Sequence, residues 1–149
     1  MYKRILAVVD GSASGERIVS WVRVLARASG ADVHLLMTKQ ASRPVTAGGR
    51  VVAFSDQLDE ARAAEALAYL ASIADDLRAD GLTVGIEVRV GEPDQAIAAA
   101  SREVGAELVA LGLEPASVSR LVRGGPSARL LALTGLPLLV AGRRTLRSA

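Results

Sequence analysis

Residues 105–142 read GAELVALGLEPASVSRLVRGGPSARLLALTGLPLLVAG. A short apolar run ends on Gly112, and an irregular polar segment follows it. The pair Gly124-Gly125 then precedes a helical pattern and a last apolar run. Strand, loop, helix and strand in this order form half of an α/β fold whose ligands bind at the strand ends. The loop has glycines where a phosphate could approach the backbone, but it also contains Pro115 and Pro126.

The rest of the chain alternates short apolar runs with helical patterns. The runs predict five strands at residues 4–9, 33–38, 82–90, 108–111 and 138–141. Because such alternation gives parallel strands with right-handed crossovers, we predict an α/β fold with a five-stranded parallel sheet and helices on both faces. No internal boundary is visible, so residues 1–149 are predicted to form a single domain.

Several elements carry more detailed expectations. The first helix should begin at a cap on Ser12 or Ser14 and end at Gly30. Residues 82–90 alternate in part, which predicts a half-exposed edge strand. The connection 39–55 is rich in Gly, Pro and Ser, which predicts a functional or mobile loop without a regular element. The predicted buried stripes of the first two long helices are Ile18, Trp21, Val22, Leu25, Ala28 and Leu58, Ala66, Leu67, Leu70, Ile73, Leu77.

Composition excludes several function classes. The chain has 149 residues, a net charge of +2 and no cysteine, so disulfides, thiolate catalysis and the common zinc sites are not expected. The single histidine, His34, lies in an apolar strand pattern and is expected to pack there. We find neither a signal-peptide pattern nor a long apolar run, so we expect a cytoplasmic protein without a membrane or nucleic-acid partner. The arginines of the last seven residues are interpreted as a solubilising tail.

Three candidate site residues follow predicted strands. Asp10, Thr38 and Gly112 all fall at carboxyl ends, where ligands bind in parallel sheets. Asp10 could accept hydrogen bonds from a ligand or help to hold Mg²⁺, or it could satisfy amides at the next helix start. Gly112 permits close backbone approach to a ligand, or it is an ordinary turn glycine.

Two further candidates precede the last helix. Gly125 and Ser127 would place amides and a hydroxyl at the helix start, where anions bind. The same residues are also ordinary loop and capping chemistry. No G-x-x-x-x-G-K-[ST] motif is present, and no G-x-G-x-x-G follows the first strand, so P-loop and dinucleotide-binding folds are not indicated. The acidic cluster and lysine of a phosphate-accepting receiver domain are missing as well.

The chain resembles the universal stress protein family. The resemblance rests on the opening ILAVVDGS, the strand VHLLM, the segment VRVGEPDQAIAAASREVGAELVALG and the ending RLVRGGPSARLLALTGLPLLVAG. It covers nearly the whole chain and implies the sheet order 3-2-1-4-5 of adenine nucleotide alpha hydrolase-like folds. It also implies a homodimer formed through the C-terminal edge strand.

The resemblance implies an adenine-nucleotide site. ATP-binding members carry a loop of the form G-x-x-G-x(9)-G-[ST], whose first and third glycines correspond to Gly112 and Gly125. The second glycine and the hydroxyl residue are replaced by Pro115 and Pro126. The family's strand-one aspartate corresponds to Asp10, and its adenine-contacting position falls near Thr38.

These replacements lead to two hypotheses. In the first, the protein is a non-catalytic, dimeric stress-response module with a degraded ATP-binding loop. In the second, it is a switch that still binds adenine nucleotide weakly, with ATP and Mg²⁺ as the ligand. A slow ATPase is the least supported reading, because no base, Walker lysine or paired acids are visible.

Overall fold

The part of the chain that the structure describes contains seven strands and four helices. The computed structural model describes residues 2–40, 45–47, 50–53, 55–114, 116 and 129–141. The elements are β1 (Arg4–Val9), α1 (Ala13–Ser29), β2 (Asp32–Lys39), β3 (Val45–Ala47), β4 (Arg50–Ala53), α2 (Ser55–Ala79), β5 (Val84–Val90), α3 (Pro93–Val104), β6 (Leu108–Gly112), α4 (Arg129–Thr134) and β7 (Leu138–Val140). None of the described helices is both long enough and apolar enough to span a membrane.

Five of these strands form one parallel sheet in the order β5-β2-β1-β6-β7. With the short β3 and β4 left aside, this is the predicted order 3-2-1-4-5. The central strand β1 pairs Ile5 with Val33 of β2 and with Leu108 of β6. Because β1 is buried on both faces, its continuous run of Ile, Leu, Ala and Val residues is what a central parallel strand requires.

The helices form a layer on each face of the sheet. One core contains α1 and α2 packed on the odd-numbered β1 side chains such as Ile5 and Ala7. The other core contains Ile97 of α3 and Leu130 of α4 packed on Leu6 and Val8. The fold is therefore the predicted three-layer α/β arrangement. The carboxyl ends of the parallel strands β1, β2 and β6 lie along the same side of the sheet, which is its carboxyl edge.

Helix boundaries agree closely with the sequence, but three expected core positions are wrong. The side chain of Trp21 is 57% exposed and that of Leu67 is 41% exposed, and Ala28 is also exposed. On α1 the residues that face the sheet are Ile18, Val22 and Ala26, and Trp21 lies on the flank of that line. On α2 the buried line runs through Ala66, Leu70, Ala74 and Leu77, and Leu67 lies beside it. Leu58 is among the side chains that the structure does not describe.

The connection 39–55 contains regular structure, so the expectation of a plain loop is wrong. β3 and β4 form an antiparallel two-stranded sheet in which Val45 is paired with Ala53 and Thr46 with Val51. β-branched residues favour strands, and they are frequent on both sides of the sequence pair Gly48-Gly49. The prediction gave too much weight to the glycines and prolines of this segment.

A chain of polar side chains joins β2 and the edge strand β5 to α3. The Nε2 atom of His34 on β2 lies 2.8 Å from Oε2 of Glu87 on the edge strand β5. Arg89 donates to Glu87 through Nε and to Glu103 on α3 through its terminal nitrogens. His34 is packed as predicted, since a Cβ at Gly85 would lie only 2.9 Å from its Nδ1. The polar face of β5 is therefore used to tie the edge strand to a helix.

We predict that Glu103→Gln lowers the free energy of unfolding at neutral pH but not in acid. The hydrogen bond from Arg89 lowers the pKa of Glu103 from 4.5. The ionised carboxylate thus stabilises the fold above its unfolded-state pKa, and this contribution is lost as the pH falls through the lower folded-state pKa. Urea unfolding near neutrality and well below the unfolded-state pKa measures the difference.

Glu65→Gln, at an exposed position of α2, is the matched control and should change little at either pH. An equal effect of Glu103→Gln at both pH values would contradict this assignment.

Candidate functional site

Asp10 lies directly after β1 and connects two loops at the carboxyl edge of the sheet. Its Oδ1 accepts hydrogen bonds from the amide of Ser12 at 3.0 Å and from the hydroxyl of Ser12 at 2.5 Å. Its Oδ2 accepts a hydrogen bond from the amide of Glu114 at 3.0 Å. Gly11, between Asp10 and Ser12, has a φ of 84°, which a glycine adopts without strain. Asp10 therefore holds the start of α1 and the exit of β6 together.

The capping of α1 differs in detail from the expectation. Ser12 is the N-cap residue, as one of the two predicted alternatives, but its side chain makes no capping hydrogen bond to the helix. Its hydroxyl is directed to Asp10 instead. The other alternative, Ser14, is buried, and its hydroxyl accepts a hydrogen bond from Arg17 at 3.0 Å. The aspartate thus organises the turn that a serine was expected to organise.

Gly112 is the last residue of β6 and is buried under α1. A Cβ at this position would lie 2.1 Å from Cγ2 of Ile18 and 2.9 Å from Cα of Gly15. Both distances are far below van der Waals contact, so no side chain fits without moving the helix. Gly112 does not have positive φ. Packing of α1 against β6, rather than a turn, explains why a glycine stands here.

Thr38 lies near the end of β2, half-buried, at the same edge of the sheet. Its register partner is Arg89 of β5, while the preceding part of β2 pairs with β1. Three of the five predicted site residues are therefore at one edge: Asp10, Thr38 and Gly112. Gly125 and Ser127 lie outside the residues that the structure describes, as do Pro115 and Pro126.

Tyr69 of α2 is an additional polar group near this edge. Burial raises the pKa of Tyr69, and the carboxylates of Glu16 and Asp10 raise it further. The phenol therefore stays protonated and close to the negative charge at the start of α1. No spacing motif in the sequence pointed to this tyrosine.

A groove of about 880 Å³ lies elsewhere, on the α3 face of the sheet. Its lining includes Glu87, Arg89, Glu92 and Arg102, which carry balanced charges. Arg89 already pairs with two carboxylates, so its charge is not available to an anionic ligand. Within the described residues no group of three or more His, Asp and Glu side chains could hold a metal ion.

The described residues of this site are engaged by other parts of the same chain. Asp10 has three intramolecular hydrogen bonds on a carboxylate that offers about four acceptor positions. Gly112 is required by the contact with Ile18 and Gly15, so its presence does not indicate a phosphate. The arrangement can fix the direction of the chain at the end of β6, and it leaves the carboxylate with little spare capacity for a ligand.

Two residues of this edge were missed by the sequence reasoning. Gly15 is a glycine inside a helix, where it costs stability relative to alanine, and this cost was the signal of a close contact. Glu114 takes part through its backbone amide, for which a sequence carries no residue-type signal.

We predict that Gly112→Ala destabilises the protein by about 1–3 kcal/mol or more, because the added methyl group overlaps Ile18. Ile18→Ala removes the overlapping Cγ2, so the double variant should lose less stability than the sum of the two single variants. Denaturant unfolding of the three variants measures this coupling. Strict additivity would show that the two positions do not meet.

Comparisons with known proteins agree with this fold. The sequence profile of the universal stress protein family matches residues 1–142. No curated protein sequence matches the chain. The solved universal stress protein UspA from Lactobacillus plantarum has 17% identity and a TM-score of 0.70, covering 94% of this chain and 98% of that one.

Two further solved structures contain adenine nucleotides. A family protein from Arabidopsis thaliana with AMP bound has 14% identity and a TM-score of 0.63, covering 99% of this chain and 96% of that one. The universal stress protein from Archaeoglobus fulgidus in complex with dAMP has 23% identity and a TM-score of 0.58, covering 93% and 96%. At these identities the likeness shows the shared fold. The family profile spans nearly the whole sequence, and this chain belongs to the universal stress protein family.

Proposed function

We propose that this protein is a non-catalytic, dimeric stress-response module of the cytoplasm whose ATP-binding loop is degraded. The observation that carries this proposal is the use of Asp10, whose two carboxylate oxygens bind Ser12 and the Glu114 amide. At the family's strand-one aspartate, the carboxylate oxygens thus accept hydrogen bonds from donors of the same chain. Gly112, the second retained position, is explained by packing against α1.

The sequence of the loop supports weak binding. Pro115 lacks an amide and has a fixed φ, so a contact made there through a glycine N–H is lost. Pro126 removes a further amide and the hydroxyl of the family pattern. Each charge-assisted hydrogen bond is worth about 1.5–3 kcal/mol. Two such losses weaken nucleotide binding by about two to four orders of magnitude.

A second candidate function is a switch that retains weak binding of an adenine nucleotide. The two structures above, one with AMP and one with dAMP, favour this candidate. The half-buried Thr38 and the neutral phenol of Tyr69 would offer polar contacts near Asp10. ATP with Mg²⁺ would then be the ligand, and no residue of the described site supplies catalysis in this proposal.

The proposed homodimer rests on the contrast between the two sheet edges. β7 ends the sheet on one side with an apolar sequence, and its Val140 is 41% exposed. β5 ends it on the other side and carries the charged residues Glu87 and Arg89. Charged residues protect an edge from pairing, whereas an exposed apolar edge favours pairing with another strand. We therefore propose that β7 pairs with β7 of a second copy.

We predict that calorimetry with ATP and Mg²⁺ gives no binding tighter than about 10 µM, because the loop has lost two phosphate contacts. The titration uses the wild-type chain, and omitting Mg²⁺ serves as the control for a metal-dependent contribution. A dissociation constant below this limit would contradict the degraded loop.

Restoring the family pattern should strengthen binding. In the double variant Pro115→Gly and Pro126→Ser we predict a gain in ATP affinity of about two orders of magnitude or more. Pro44→Gly, a proline outside the family loop, is the matched control and should leave the affinity unchanged. If the double variant binds no better than the wild type, the account of these two prolines is wrong.

We predict that Val140→Lys converts a dimer into a monomer, because a charge on the exposed edge opposes strand pairing. Light scattering coupled to size exclusion, at micromolar protein concentration, measures the mass. Val90→Lys is the matched control on the opposite edge, where the side chain is 51% exposed. A monomeric wild type, or a monomeric Val90→Lys variant, would contradict pairing through β7.

A further inference from the structure

We infer that Asp10 is a positioning residue that fixes the exit of β6, not a direct ligand of a nucleotide. The hydrogen bond between Oδ2 of Asp10 and the amide of Glu114 spans 104 positions of sequence at a distance of 3.0 Å. The two bonds on Oδ1 are local and come from Ser12. One carboxylate thereby joins the turn after β1 to the chain that leaves β6.

The position of Glu114 gives this bond its effect. Two residues earlier, Gly112 is locked under α1 by its contacts with Ile18 and Gly15. Leu113, between them, is buried in the core formed with α3 and α4. Glu114 is the first exposed residue after the strand. A hydrogen bond to the Glu114 amide therefore fixes the backbone where it leaves β6, and Asp10 accepts that bond.

The arrangement also links ligand binding to the chain exit. Three of about four acceptor positions on the carboxylate are used. Asp10 therefore affects a nucleotide through the position of the Glu114 amide and not through a hydrogen bond of its own. This consequence rests on the second candidate function above, whereas the positioning role itself does not.

Amide hydrogen exchange measured by NMR tests the positioning role directly. Asp10→Ala should speed exchange at the Glu114 amide roughly ten- to a hundredfold, since one hydrogen bond to a charged acceptor is lost. Asp94→Ala is the matched control, because the hydrogen bond that Asp94 accepts in the described part of the chain is local, from the amide of Gln95 at 2.8 Å. An unchanged exchange rate at Glu114 in Asp10→Ala would overturn the inference.

A second variant keeps the carboxylate and removes the donor. Glu114→Pro deletes the amide N–H, and Glu114→Ala retains it and removes only the side chain. If the bond between the two positions exists, Asp10→Ala combined with Glu114→Pro should cost less stability than the sum of the single changes. Additive losses of stability would overturn the inference independently of the exchange measurement.

Titration with ATP and Mg²⁺ separates positioning from direct contact. A positioning role predicts that Asp10→Ala and Glu114→Pro change the dissociation constant by the same factor, and that the double variant changes it no further. A loss of affinity in Asp10→Ala alone would show direct contact and contradict the inference. If the wild type binds no ATP, the second candidate function fails, and the exchange and stability measurements still decide the role of Asp10.

Discussion

The close approach of α1 to the end of β6 determines the geometry of the whole carboxyl edge. Gly112 has no room for a Cβ beneath Ile18 and Gly15, so the first turns of α1 lie directly on the strand. This places the turn at residues 10–12 next to the exit of β6. The hydrogen bond from the Glu114 amide to Asp10 depends on this separation, because it joins the turn after β1 to the end of β6. The packing of α1 on β6 therefore determines which polar groups of the site can meet.

The same constraint changes the meaning of the family pattern in this chain. A glycine and an aspartate at the family's positions suggest a retained nucleotide site. Here the glycine is needed by the core, and the aspartate binds two backbone amides and a hydroxyl of its own chain. Both residues would be kept in a protein that had lost its nucleotide. The positions at which the sequence departs from the family pattern are Pro115 and Pro126.

The sequence predicted the sheet more fully than the site. Continuous apolar runs such as residues 4–9 identify buried parallel strands without tertiary information, and the order followed from the family resemblance. The flank position of Trp21 and the hairpin of β3 and β4 depend on how helices and connections meet the sheet, which periodicity does not encode. The Asp10 bond to Glu114 uses a backbone donor 104 positions away, so no motif could reveal it.

Thermal unfolding with and without Mg²⁺ and ATP tests most directly whether the carboxyl edge serves the chain itself. At about 1 mM nucleotide, we predict a rise in Tm of no more than about 2 °C, as expected for millimolar affinity. A site with a dissociation constant of about 10 µM would be stabilised by roughly 2.7 kcal/mol at that concentration. A rise in Tm of about 5 °C or more would therefore contradict the account.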